Sequence, residues 1–212
     1  AKRITPTLLA SSLWLSALSF SVAAECRQAL ALGLDVSGSV DAREYRLQMD
    51  GLAQALKSPD VTIAFLAQPT TPIKLLVYEW SGPNDQHIVV PWTNITSDKS
   101  LVMITKKLNE TQRRNASPGT ALGQAMIAGT SYLNQTRCWS KTLDISGDGE
   151  SNLGPRPRDV KPLLETSNVT INALVIGSDD AVIGDTRPVE ISRLSAYFRV
   201  EVILGAAAFV ET

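Results

Sequence analysis

Histidine is nearly missing from this chain: His87 is the only one in 212 residues. A histidine-based metal site or a Ser-His-Asp triad would therefore depend wholly on one side chain, which reads as a residue at the start of a strand rather than a catalyst. Cysteine is almost as scarce, with only Cys26 and Cys138. There is no excess of positive charge either, since 20 basic residues face 21 acidic ones. With aromatics at 6% and no basic stripe between them, the footprint of a nucleic-acid binder is missing. Long apolar runs are confined to the first residues, and no second one could span a bilayer.

That first run has the form of a leader. Lys2 and Arg3 precede an apolar stretch from Leu8 to Phe20, and the small residues Val22-Ala23-Ala24 follow it. This is the pattern of a secretory signal peptide cleaved after Ala24. Ser11, Ser12, Ser16 and Ser19 break the stretch, which argues against a membrane anchor, and Glu25 before Cys26 spoils a lipoprotein cleavage site. The expected organisation is a leader over 1–24 and one domain over 25–212, exported to the periplasm or outside the cell, without a transmembrane segment. Without Lys2 and Arg3 the formal charge is −3, from 18 basic and 21 acidic residues.

The chemistry concentrates where an apolar run ends in an acid. Leu30-Ala-Leu-Gly-Leu-Asp35-Val-Ser37-Gly38-Ser39 reads as a short buried strand that delivers one carboxylate and two hydroxyls to one rim. An oxygen-only set of this kind suits a hard divalent cation, and a small cluster suits Mg²⁺, which keeps several waters and leaves room for an outside ligand. Gly38 is expected to permit a turn that a side chain would hinder, so that Ser37 and Ser39 face the same point. The same residues also suit a plain strand-to-helix turn, because Asp41-Ala-Arg-Glu44 has the form of a capping box.

Along the chain, strand-like and helix-like segments alternate. The patterns predict strands over 29–35, 73–80, 87–93, 141–146, 169–177 and 199–204, and helices over 41–57, 97–113, 120–134, 156–166 and 187–197. Tyr45, Met49, Leu52, Ala53 and Leu56 fall on one helical face, as do Leu122, Ala125, Met126, Gly129 and Leu133. Helices that follow nearly continuous apolar strands imply a doubly wound α/β fold: a mainly parallel six-stranded sheet with helices on both faces. One strand should be an antiparallel edge, because Ser81-Gly-Pro-Asn-Asp85 joins two strand-like runs as a hairpin, bracketed by Trp80 and Trp92.

Two later segments complete a pattern. Pro118-Gly119-Thr120 places a hydroxyl in a loop before an apolar-periodic helix, and Lys141-Thr-Leu-Asp-Ile-Ser146-Gly147-Asp148-Gly149 is again a strand-like run ending in an acid. In this order the three pieces resemble the von Willebrand factor A-like domain with its metal-ion-dependent adhesion site, over roughly residues 29–205. The resemblance implies that Asp35, Ser37, Ser39, Thr120 and Asp148 surround one ion, Mg²⁺ or alternatively Mn²⁺ or Ca²⁺. It implies also that an acidic residue of a protein partner completes the shell, and that the domain binds rather than catalyses. One departure stands out: the family usually reads Thr-Asp-Gly, whereas here Gly147 precedes the acid. The run Ser-Gly-Asp-Gly-x-x-Asn is similar to that of a poorly characterised A-like family of bacterial exported proteins.

If the strands before Asp35 and Asp148 are parallel neighbours, as the resemblance implies, Cys26 and Cys138 lie together at the opposite end of the sheet, where they would form a disulfide. Two free thiols are the alternative. Asp179 and Asp180 follow a strand on the expected metal side, as a solvated loop or a rim contact. Two other classes stay open. Asp35 with Gly147-Asp148-Gly149 also resembles haloacid-dehalogenase-like phosphatases, but the acid those enzymes carry two residues after the first is here Ser37, leaving no proton donor for a leaving group. The other is a metal-free structural module.

Overall fold

The computed structural model describes residues 26–177 and 187–212. The leader expected over 1–24 and the pair Asp179 and Asp180 lie outside them. Strand β1 (Gln28–Asp35) is the centre of a six-stranded sheet, flanked on one side by β2 (Ile73–Trp80) and on the other by β4 (Ser140–Gly147). Beyond β2 lies the antiparallel edge strand β3 (Gln86–Ile95), and beyond β4 lie β5 (Thr170–Val175) and β6 (Val210–Glu211). All pairings except β2–β3 are parallel.

Both faces of this sheet are apolar over its central strands, which is why the strands read as continuous runs. Along β2, Leu75 and Val77 point into one core, and Leu76, Tyr78 and Trp80 into the other. The first core is closed by α1 (Ala42–Ala55) and α3 (Asp98–Glu110), through Tyr45, Met49, Leu101, Ile104 and Leu108. The second is closed by α4 (Leu122–Asn134) and α5 (Pro157–Leu164), joined by Phe198 and Val202. The doubly wound α/β architecture and the hairpin edge are thus as the sequence patterns imply. His87 lies exposed on that edge strand, and Trp80 is fully buried.

Two elements differ from expectation. The segment read as a strand over 199–204 forms a π-helical turn, Phe198–Val202, continuing from α6 (Arg187–Tyr197), and the sixth strand is the shorter β6. Phe198 and Val202 are the residues that this turn buries, while Val200 is 70% exposed. Packing at a spacing of four has overridden a local β-branched pattern, helped by Lys161 donating to the Val200 carbonyl and by the Arg158–Glu201 ion pair. The other difference is an additional helix, α2 (Pro59–Leu66), where the first helix was expected to end at 57. Its signal is Ser58, whose hydroxyl accepts from Val61 N–H, followed by Pro59 in the first turn.

Cys26 and Cys138 are disulfide-bonded, with Cα atoms 4.6 Å apart. The bridge lies beside the amino ends of β1 and β4, where Trp139 N–H also donates to the Cys26 carbonyl. It closes a separation of 112 residues. Cys26→Ser/Cys138→Ser should therefore lose about 2–4 kcal/mol of unfolding free energy in a denaturant titration. Equal midpoints for the oxidised protein and the double variant would show that the bridge adds nothing.

Candidate metal centre

The chain leaves β1 for β2 on one side and returns after β3 to lay β4 on the other. At such a reversal the loops beyond the strand ends diverge and leave a crevice. Asp35 closes β1 and Asp148 follows β4, so both carboxylates reach it.

Asp35 is wholly buried. Its Oδ1 accepts from Ser37 N–H at 2.8 Å, and its backbone is held by Ser146 Oγ, which accepts from Asp35 N–H, and by Gln48, which donates to the Asp35 carbonyl. The Ser37 and Ser39 hydroxyls share a hydrogen bond of 3.3 Å, and Ser39 donates to Asp148 Oδ1 at 2.8 Å. Four of the five expected ligands thus form one hydrogen-bonded cluster. Asp41 also caps α1 in a full capping box with Glu44, so the turn reading of this segment holds alongside the rim geometry.

Thr120, the fifth, is buried and sits on a loop anchored to the same rim. Gly38 N–H donates to the Pro118 carbonyl, Thr120 N–H to Asn152 Oδ1, and Asn152 N–H back to the Thr120 carbonyl. Gly38 serves this contact rather than an unusual backbone angle, because a Cβ there would lie 3.0 Å from the Pro118 backbone. From the same loop Arg113 reaches the Val36 and Ser37 carbonyls. The roles of Gln48, Arg113 and Asn152 went unassigned in the sequence. Only Asn152 carried a signal, as the last residue of the Gly-Asp-Gly-Glu-Ser-Asn run.

One polar atom in this cluster is left over. Asp35 Oδ2 is buried and has no hydrogen-bond partner among the described residues. Burial pushes the Asp35 carboxyl up to about 7, with the Asp148 charge adding to the rise, and the Ser37 hydrogen bonds oppose it. Leaving such an oxygen unpaired is costly, and a cation among these oxygens would relieve it. Beside the cluster opens a cavity of about 420 Å³, lined in part by Asp35, Ser39, Glu44, Gln48, Asp148 and Glu150. The residue before Asp148 is glycine for a steric reason. A Cβ on Gly147 would stand 2.9 Å from Phe198 Cζ and 3.5 Å from Asp35 Oδ2, so the Phe198 ring leaves no room here for a side chain.

The strand order and the helices on both faces are those of a von Willebrand factor A-like fold, and solved structures with that fold match it. Proximal thread matrix protein 1 from the mussel byssus matches over 89% of this chain and 44% of its own, at TM-score 0.60 and 15% identity. The pilus adhesin SpaC from Lactobacillus rhamnosus GG, in its open conformation, matches over 88% and 28%, at 0.58 and 12%. BatB from Bacteroides thetaiotaomicron matches over 86% and 88%, at 0.56 and 12%. The chain therefore spans less than half of the byssus protein and of the adhesin. The byssus protein is also known with a zinc-occupied metal-ion-dependent adhesion motif, a structure matching at 0.53 and 14% identity over 88% of this chain and 42% of that one. No curated protein matches. Over residues 25–212 the chain matches the model of the family described as "Protein of unknown function (DUF1194)", and it belongs to that family.

Two outcomes follow from the packing. Since the folded carboxyl of Asp35 lies above the ordinary 3.8, the cation-free fold favours its protonated form, and the associated stability is full below pH 3.8 and lost as pH climbs to about 7. Without divalent cation, Asp35→Asn should be more stable than wild type at pH 8 by up to about 4 kcal/mol, with the gap closing toward pH 3, as read by chemical denaturation. A variant less stable than wild type at pH 8 contradicts this account of the site. Gly147→Ala should cost about 1–3 kcal/mol in the same assay, because the buried Phe198 ring must shift.

Proposed function

We propose that this chain is an exported protein-binding module whose contact with its partner requires a divalent cation. Asp35, Ser37, Ser39, Thr120 and Asp148 would hold the ion, with Mg²⁺ favoured by an all-oxygen set that includes three neutral hydroxyls. The observation that carries this reading is Asp35 Oδ2, buried without a hydrogen-bond partner among the described residues, on a carboxylate that belongs to one hydrogen-bonded cluster with Ser37, Ser39 and Asp148. When bound, the ion supplies an electrophilic centre for an incoming carboxylate of the partner. The protein's own groups set the conditions. Asp35 is kept rigid from its backbone by Ser146 and Gln48, Ser39 orients Asp148, and the Asn152 bridge holds the Thr120 loop against the rim.

Three further facts support the reading. The fold is shared with a pilus adhesin and a byssus matrix protein, and a byssus structure carries zinc in the corresponding kind of motif. A disulfide suits an oxidising compartment outside the cytoplasm. No helix among the described residues is long and apolar enough to cross a membrane.

Calorimetric titration with MgCl₂ should show one site in the wild type and none in Asp35→Ala or Asp148→Ala, with circular dichroism unchanged. The immobilised domain should retain an envelope protein of the producing cell in Mg²⁺ and release it on addition of EDTA. Equal Mg²⁺ affinity in wild type and Asp35→Ala would refute the site. Capture insensitive to EDTA would leave a structural module, and Mg²⁺-dependent phosphatase turnover lost in Asp35→Asn would make the chain an enzyme.

A further inference from the structure

Among the proposed hydroxyl ligands Thr120 alone has no proposed carboxylate ligand close to it in sequence, and its loop, residues 111–121, has no regular secondary structure. Something must fix it. The loop's own backbone is tied to the turn of the β2–β3 hairpin: Ala121 N–H donates to the Ser81 carbonyl at 2.7 Å, and Ser117 N–H to Asp85 Oδ2 at 2.8 Å. Ser81 Oγ donates to the same Asp85 oxygen at 2.6 Å. Asp85 is thus the junction between hairpin and loop, and its other oxygen, Oδ1, pairs with the Arg114 guanidinium. Arg114 Nε in turn lies 3.0 Å from Glu79 Oε2, and Glu79, 1% exposed at the end of β2, accepts from Tyr45 of α1 through Oε1 at 2.6 Å. A single planar cation therefore joins α1, β2, the hairpin turn and the Thr120 loop.

The arrangement goes beyond what folding of the hairpin requires. The turn 81–85 is already closed by Ser81 N–H on the Asp85 carbonyl and Asp85 N–H on the Gly82 carbonyl. What the Arg114–Asp85 pair adds, beside the backbone bonds from Ser117 and Ala121 and the rim contacts of Pro118 and Thr120, is an ionic tie that brings the amino-terminal half of the loop to the end of β2 through Glu79. An arginine suits the task because its delocalised charge can face two carboxylates on separate segments at once, Glu79 through a hydrogen bond from Nε and Asp85 through ionic contact at Nη2.

From this network we infer that Arg114, acting through Asp85, is a positioning residue for the cation site, setting the place of Thr120 without touching the ion. The inference rests on the proposed cation site. Removing one partner of a buried pair leaves an uncompensated charge, so Arg114→Gln alone would threaten the fold. Glu79→Gln removes that charge while retaining an acceptor for Tyr45, and it provides the background for the test. Mg²⁺ affinity is measured calorimetrically on the full chain for Glu79→Gln, for Glu79→Gln with Arg114→Gln, for Glu79→Gln with Thr120→Ala, and for all three together, with circular dichroism and melting temperature recorded for each.

Loss of Arg114 should weaken Mg²⁺ binding by about 10- to 100-fold, the range typical of outer groups that orient metal ligands. Once Thr120 is alanine, the same loss should cost only about twofold or less, because the group that Arg114 positions is gone. Equal weakening in both backgrounds would overturn the inference, as would a lower melting temperature with unchanged affinity, which marks a purely structural role. Absence of Mg²⁺ binding in the wild type would instead refute the cation site itself, and the inference with it.

Discussion

A carboxylate at the end of a central parallel strand, with water excluded from one of its oxygens, is the constraint around which the upper rim of this protein is organised. Asp35 stands at 0% exposure where β1 runs out, and the neighbouring groups are arranged to tolerate it. Ser37 donates from its backbone, while Ser146 and Gln48 hold the main chain on either side of the carboxylate. Gly147 and Phe198 shape the space that its second oxygen faces. Burial of charge without full compensation is unfavourable in a stability ledger, and persists where a site requires it.

The sheet makes that expense tolerable. Six strands with an apolar face on each side, each closed by its own set of helices, bury Tyr78, Trp80, Met49, Phe198 and Met126 almost completely. The disulfide adds a covalent tie at the opposite pole, beside the amino ends of β1 and β4. Stabilising features and the polar rim are therefore separated along the strand axis. One end can carry unpaired carboxylate chemistry while the other anchors the same two strands.

Between these poles, loops rather than helices set the geometry of the site. Three segments meet at the rim, 35–39, 113–120 and 147–152, and each is held by side chains from elsewhere: Arg113 from the second onto the first, Asn152 from the third onto the second, Ser39 from the first onto the third. Each segment's position thus depends on the other two. The hairpin at the sheet edge joins in through Asp85 and Ser81, so an element far from the carboxylates in sequence bears on their surroundings.

Much of this was legible in the chain itself. Strand after apolar strand, with helices showing a 3.6-residue stripe between them, determined a doubly wound sheet, and Tyr45, Met49 and Ala53, or Ala125, Met126, Gly129 and Leu133, are buried or core-facing as that stripe requires. The acids at the ends of β1 and β4 were legible too, because a carboxylate closing an apolar run breaks its pattern visibly. Tertiary structure alone decided what depends on partners remote in sequence. The segment at Phe198–Val202 wound into a π-helical turn because Phe198 and Val202 pack under β4 and β5, which no local β-branched pattern can reveal. Position 147 has no room for a side chain because of that same ring, and Gly38 lets the Pro118 backbone approach closely. Arg113, Arg114 and Asp85 acquired their roles only when the loop, the hairpin and β1 came together. A periodic pattern reports which side of an element meets the core, whereas a hydrogen bond across 32 or 76 residues exists only once the whole sheet has formed.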